Sequence, residues 1–348
     1  MKAVMIGTGG GGKKFLDCVH KERTIQIEAV FDRSPDVAGT LWNGYEVKHE
    51  SELREYLEKE PDDIIVVIAS QYIDQIVERL KGQGIDPAKC YATNDYQSTL
   101  FHDADIIPFS DSRYQELEDM LELGSSKQIL NNIKQLRGND SVLVIPVEQL
   151  LGYSIGEDYW GTIKPFRRFE KAVVIDGGAY TGNSIEPLCS TIGSGIVHYY
   201  AFEPDEDSYK QLTKYHKFHT QYGELSAIQK GLWSIDTELL FDDNAERKIG
   251  NRISNEGKKK IITQAIDNME IAAESDIFIK MDIEGSELEA LKGAEKLIRE
   301  RKPSLAVCLY HKDNDIIEIP FYLKALVPEY KLYLCGGSHT TCIAQIEE

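Results

Sequence analysis

Strand-length runs of apolar residues alternate along this chain with longer stretches whose apolar positions recur every three or four residues. Parallel strands joined by amphipathic helices produce that alternation. Over about the first hundred residues it predicts a strand at Ala3–Ile6, a glycine turn, a helix at Lys13–His20 and a strand at Ile27–Phe31. A helix at Glu52–Lys59, a strand at Ile64–Ile68, a helix at Ile73–Lys81 and a turn at Gly82–Pro87 complete a Rossmann-like unit.

From Asp111 to Arg137 the period turns helical, with Leu117, Met120, Leu121 and Leu123, then Ile129, Leu130, Ile133 and Leu136, on one apolar stripe. This reads as a helical connector. Tyr153–Phe169, rich in Gly, Tyr, Trp and Arg, reads as a loop that a substrate can occupy, and Arg167 and Arg168 within it suit an anionic ligand or simple solvation. A second α/β series then begins: strand Val173–Ile175, helix Ser184–Cys189, strand Tyr199–Phe202, helix Ser208–Lys217 and strand Ala227–Lys230. After a polar stretch through Lys260 come strand Ile277–Met281, helix Glu287–Arg299, strand Ser304–Leu309, helix Phe321–Leu326 and strands Lys331–Leu334 and Cys342–Ile346. The expected fold class is α/β throughout, with a Rossmann-like domain over 1–105, a connector and loop over 106–170 and a larger domain over 171–348.

Composition narrows the function classes. Among 348 residues, 39 Lys and Arg face 58 Asp and Glu, a formal net charge of −19. A broad binder of nucleic acid or anionic membrane needs a positive field, so neither partner is expected. Hydrophobic residues at 42% and charged residues at 28% fit a folded soluble chain. Ile64–Ser70 is the longest uncharged apolar run and is far short of the roughly 20 residues of a membrane helix, so no insertion is expected. Six scattered cysteines without a C-x-x-C pair fit reduced thiols, and the N-terminus lacks a signal-peptide pattern. Both point to the cytoplasm. Cys335, His339 and Cys342 lack a fourth metal ligand nearby.

Two glycine loops carry the candidate chemistry. Gly7, Gly9 and Gly12 satisfy G-x-G-x-x-G after a strand and before a helix, and Asp32 ends the next strand. Such glycines let backbone approach a pyrophosphate while the acid accepts from a ribose hydroxyl, which makes NAD or a sugar nucleotide the candidate ligand here. A role in assembly without nucleotide fits equally. The run is not a P-loop, because Lys14 stands where the Mg²⁺-binding Ser or Thr belongs.

In the second loop, V-V-I-D-G-G-A-Y-T-G-N, a strand ends at Asp176, and Gly178 and Gly182 follow. Glu203 ends the next strand and Asp282 a later one, so three acids are expected along the C-terminal edge of one sheet, where open α/β sheets bind ligands. A carboxylate at Glu203 can accept from both hydroxyls of a ribose.

These motifs, with Y-A-F-E-P-D at 200–205, F-I-K-M-D-I-E-G-S-E-L-E-A-L-K-G-A at 278–294 and Y-H-K at 310–312, resemble the FkbM family of S-adenosylmethionine-dependent methyltransferases. The resemblance runs from roughly Asp111 to the C-terminus. It implies a class I, Rossmann-like, seven-stranded methyltransferase domain ending in an antiparallel hairpin, preceded here by the smaller α/β domain. It places Asp176, Gly178 and Gly182 along the methionine and ribose part of S-adenosylmethionine, with Tyr180, Asn183 and Asp282 beside them, and Glu203 on the ribose diol. It also implies O-methylation of a sugar, polysaccharide or related metabolite, with a small-molecule or carbohydrate acceptor; a homo-oligomer stays open on the sequence alone.

Methyl transfer from sulfonium to oxygen is an in-line displacement in which alignment contributes about 7 to 11 kcal/mol and a positioned base typically about 10² to 10⁴-fold. His311, following a strand on the Asp282 edge, is the first candidate base, with Asp282 beside it. Asp282, Glu284 and Glu287 lie close enough to suggest a Mg²⁺ site, yet an acid at Glu287 is favoured by the start of its helix alone, so no metal is assigned. Two rivals stay open: an NAD-dependent oxidoreductase or epimerase working through the first loop, against which stands the lack of a Tyr-x-x-x-Lys pair there, and a binding protein that keeps the fold without catalysis.

Overall fold

The computed structural model describes the chain except residues 23, 60–62, 71, 94–104, 138–142, 150–168, 194, 215–222, 243–251, 254–258, 336–339 and 348. The expected loop at Tyr153–Phe169, apart from Phe169, lies outside the described residues, as do Arg167, Arg168 and His339. The chain divides into two compact units. One comprises Met1–Ser98 with Asn131–Ile155, the other Thr99–Leu130 with Gly156–Glu348.

The first unit runs β1 (Lys2–Ile6), α1 (Gly10–Glu22), β2 (Gln26–Asp32), β3 (Leu41–Trp42), β4 (Tyr45–His49), α2 (Leu53–Lys59), β5 (Ile65–Ile68), α3 (Ile73–Gly82) and β6 (Cys90–Thr93). The chain continues through α4 (Ser112–Met120) and α5 (Gly124–Arg137) to β7 (Val144–Pro146). The sheet order is β3-β4-β2-β1-β5-β6-β7, parallel from β4 to β6 and antiparallel at both edges. Helix α1 forms because Phe15, Leu16 and Val19 recur at helical spacing and bury against Met5, Ile27 and Val30. Strands β3, β4 and β6 were not read from the sequence. The hairpin β3–β4 buries only Val47, which leaves no alternating signal to detect.

The second unit contains β8 (Ala172–Gly177), α6 (Ile185–Ile192), β9 (Ile196–Phe202), α7 (Glu206–Leu212), β10 (Glu224–Ile228), β11 (Gly231–Leu232), β12 (Glu238–Asp242), β13 (Arg252–Ile253) and β14 (Lys259–Gln264). It closes with β15 (Asp276–Met281), α8 (Glu287–Lys292), α9 (Glu295–Arg301), β16 (Ser304–Cys308), α10 (Asp315–Leu326), β17 (Lys331–Cys335) and β18 (Thr341–Gln345). Its main sheet has the order β10-β9-β8-β15-β16-β18-β17, parallel from β10 to β16, with β18 antiparallel to both neighbours. The expected final hairpin is β17–β18. Every residue of β8 and β16 is buried, as central parallel strands require.

The expected single helix at Glu287–Arg299 is two. It breaks at Gly293, where an added Cβ would lie 2.1 Å from the Trp233 carbonyl, so this turn packs against backbone. The expected polar stretch before Lys260 contains a small sheet, β11-β14-β12-β13. The connector supplies a cover for the outer strand β17: the Glu122 amide donates to the Leu332 carbonyl at 3.1 Å, and Ser126 Oγ donates to Leu334 O at 3.1 Å. Among the described residues no helix is long and apolar enough to cross a membrane.

Candidate active site

At the C-terminal edge of the second sheet, β8 ends in Asp176 and Gly177 and the chain turns at once through Gly178, Tyr180 and Gly182, with φ of +73°, +48° and +94°. Glycine is needed at 178 for two reasons: the left-handed backbone, and an added Cβ that would sit 1.9 Å from the Asp282 carbonyl. The turn is pinned to β9 by hydrogen bonds from the Gly178 and Ala179 amides to the Phe202 carbonyl, both 3.0 Å. Glu203 accepts from the Tyr180 amide at 3.0 Å and from the Asp205 amide at 2.8 Å. Burial lifts its pKa to about 7, and those two backbone hydrogen bonds only partly oppose the rise.

Asp176 lies beneath this turn and is fully buried. Its Oδ2 accepts from Ser184 Oγ and Tyr199 OH, each at 2.7 Å, and its Oδ1 pairs with Lys280 Nζ at 2.9 Å. Asp176 and Lys280 stand directly opposite each other in the β8–β15 register. The Lys280 ammonium also donates to the carbonyls of Gly177 at 3.0 Å and Gly178 at 2.8 Å. Asp176 thus carries the glycine turn from below. Lys280, Tyr199 and Ser184 are the partners that sequence reasoning missed. The signal was present: a lysine inside the apolar run I-F-I-K-M has to be buried, and a buried charge has to be paired.

Along the same edge, β15 delivers Asp282, whose Oδ1 accepts from Tyr310 OH at 2.8 Å. The next turn holds Glu284 and Gly285 at positive φ, +55° and +88°. His311 lies behind this turn with no exposure. Its Nδ1 is 2.8 Å from Glu287 Oε1, and its Nε2 is 3.4 Å from both Asp282 Oδ1 and Glu284 Oε2. Burial by itself would push the imidazole pKa down, but the three carboxylates outweigh it and hold it at about 9. At neutral pH His311 is therefore an imidazolium seated among acids, which leaves it no lone pair with which to accept a proton. Glu287 Oε1 also accepts from the Ile283 amide at 2.8 Å, fixing the turn that carries Glu284. The acids weighed for Mg²⁺ are thus arranged around a protonated side chain, and among the described residues no group of His, Cys, Asp and Glu has the geometry to hold a metal ion.

In the first unit, Gly7 has φ +106°, and a Cβ on Gly12 would lie 2.2 Å from the Gly7 carbonyl, so these two glycines let α1 close on β1. Gly9 has open space around it. Asp32 turns toward the loop: Oδ2 accepts from the Thr8 amide at 2.9 Å and Thr8 Oγ1 at 2.6 Å, and Oδ1 from the Ser34 amide at 2.9 Å. The acid expected on a ribose hydroxyl clamps the loop to the end of β2.

S-adenosylmethionine fits the residues of the second edge. The turn 178–182 runs through left-handed backbone at Gly178, Tyr180 and Gly182 at the C-terminal edge of the sheet, where open α/β sheets bind ligands. Each Glu203 oxygen has accepted one amide from the turns beside it and carries a second lone pair, the requirement for gripping a diol. Gly178, Tyr180, Gly182, Asn183 and Glu203 are the residues that can hold the cofactor, with Asp176 acting from beneath, while Asp282 stands beside them on the same edge, engaged by Tyr310 and His311.

Strand order and left-handed glycine turn together define the Rossmann-like fold of class I methyltransferases. Residues 176–330 match the family described as the Methyltransferase FkbM domain. Over that stretch, somewhat under half of the chain, the second unit is similar to the FkbM family of S-adenosylmethionine-dependent methyltransferases. Among solved structures, a methyltransferase FkbM from Methylobacillus flagellatus KT is similar at 21% identity and a TM-score of 0.60, covering 99% of this chain and 89% of that one. A SAM-dependent methyltransferase from Aquifex aeolicus is more distant, with 14% identity, a TM-score of 0.29 and coverage of 52% of this chain and 84% of that one. No curated protein matches the chain.

Proposed function

We propose that the second unit transfers a methyl group from S-adenosylmethionine to a hydroxyl of a sugar, polysaccharide or related metabolite. The observation that carries the reading is the left-handed glycine turn seated on the Asp282 backbone with Glu203 beside it, on the edge where such folds bind ligands. Bound there, the cofactor supplies a methyl group activated by its sulfonium. The chain's own work is to grip the cofactor through Glu203 and the glycine turn, to align an acceptor hydroxyl, and to take up its proton at an Asp282 oxygen. His311 stays protonated behind Asp282 and holds that carboxylate and Glu284 in place. Alignment supplies most of the rate and a weak base suffices.

The test is calorimetric titration with S-adenosylhomocysteine and, separately, NADH, followed by transfer of labelled methyl to a panel of sugars and glycans. Binding of S-adenosylhomocysteine but not NADH is expected. Asp282→Asn should lower kcat by about 10² or more and leave the S-adenosylhomocysteine affinity within about threefold. Binding of NADH alone, abolished by Gly9→Ala, would overturn the reading.

A further inference from the structure

A lysine and an aspartate paired at the centre of a parallel sheet are costly to desolvate, and a pair of apolar side chains would satisfy the core as well. The Lys280–Asp176 pair differs from a simple ion pair in what else the ammonium does. It donates to the carbonyls of Gly177 and Gly178, the two residues at which the strand becomes the glycine turn. The Gly177 carbonyl also accepts from the Asp282 amide at 3.2 Å, so this single oxygen ties together β15, its buried lysine and the turn. On the other side of the carboxylate, Tyr199 anchors it to β9 and Ser184 to the start of α6. Lys280 is thus the hub through which three strand ends fix the orientation of two peptide planes.

We infer that Lys280 is a positioning residue for the cofactor: by holding the 177 and 178 carbonyls inward it sets the turn that Gly178, Tyr180 and Gly182 present to the ligand. The inference rests on the methyltransferase reading. The role is distinct from neutralising Asp176, and substitutions in pairs separate the two. Lys280→Met alone strands a buried carboxylate and should cost both stability and binding. Lys280→Met with Asp176→Asn removes both charges and leaves the carbonyls without their donor. Lys280→Gln with Asp176→Asn is also uncharged but keeps an amide able to donate to them.

The experiment measures melting temperature and S-adenosylhomocysteine affinity for the wild type and these variants. The Met/Asn pair should recover most of the melting temperature lost in Lys280→Met yet bind at least about tenfold more weakly than wild type, with KM for S-adenosylmethionine rising in step. The Gln/Asn pair should regain at least about fivefold of that affinity. Binding by the Met/Asn pair within about twofold of wild type, or equal weakness of the Met/Asn and Gln/Asn pairs, overturns the inference. Should the Met/Asn pair not fold, Lys280→Leu with Asp176→Asn, likewise without a donor to the two carbonyls, takes its place against the Gln/Asn pair under the same criteria. A wild-type protein that binds no S-adenosylhomocysteine overturns the methyltransferase reading itself and is seen before any substitution is made.

Discussion

Two side chains at the second edge titrate far from their ordinary ranges, for opposite reasons. Glu203 is raised to about 7 by burial. A carboxylate that must accept from two hydroxyls has to be ionised, so a proton competes with the ligand. S-adenosylhomocysteine affinity is expected to be flat above about pH 7 and to fall about tenfold per unit below it, and Glu203→Gln should bind weakly with no such slope. Titrations from pH 5.5 to 8.5 check this, and a flat wild-type profile sinks the assignment. In the ligand-free protein the same raised value works against stability as pH climbs from the unfolded carboxyl range through about 7, because the ionised form is the one burial penalises. His311 has a folded value of about 9, held up by its carboxylates against the effect of burial. Its contribution, on the order of 3 kcal/mol, is fully present below the unfolded value near 6.5 and is lost as pH rises through about 9. His311→Gln should lower stability at pH 7 by an amount of that order and remove the decline between pH 7 and 9, which denaturant titrations at the two pH values measure. From sequence, His311 reads as a candidate base because it follows a strand on the edge that carries Asp282. What that reading could not see is that Glu284, in a left-handed turn, and Glu287, at a helix start, both turn inward toward it.

Elements with a long, regular hydrophobic signal were legible from sequence, and those that owe their existence to neighbours were not. All the parallel strands at the centre of the second sheet, β8, β9, β15 and β16, lie where the apolar runs put them, since each buries most of its residues. The four-stranded sheet of β11 to β14 escaped because β11 and β13 have two residues each and β14 buries only Ile261 and Thr263. The same contrast holds for the two glycine loops. The spacing of Gly178 and Gly182 after Asp176 located the turn, whereas the support beneath it depends on Lys280, about a hundred residues away in sequence. In the first loop the glycines divide by need. Gly12→Ala should destabilise the first unit by about 1 to 3 kcal/mol, because its Cβ meets the Gly7 carbonyl at 2.2 Å, while Gly9→Ala, with open space, should stay within about 1 kcal/mol of wild type. Equal losses from the two would mean that α1 does not close on β1 as described.

Each unit buries an apolar cluster of its own, one around Met5, Phe15 and Val30, the other around Val174, Leu188 and Phe278. Scanning calorimetry is expected to resolve two transitions, with Gly12→Ala moving one and His311→Gln the other; a single transition shifted by both would show that the chain unfolds as one. The connector has a further consequence. The chain enters the second unit at Thr99, leaves it after Leu130 to supply the last strand of the first sheet, and returns at Gly156. Neither unit can be released by a single cut. Removing the first hundred residues orphans β7. Starting the chain at Lys171 strips Glu122 and Ser126 from β17, baring the backbone of an outer strand whose residues are mostly buried. A fragment that starts at Lys171 and keeps the C-terminus is therefore expected to associate through that strand and precipitate more readily than one that begins ahead of α4.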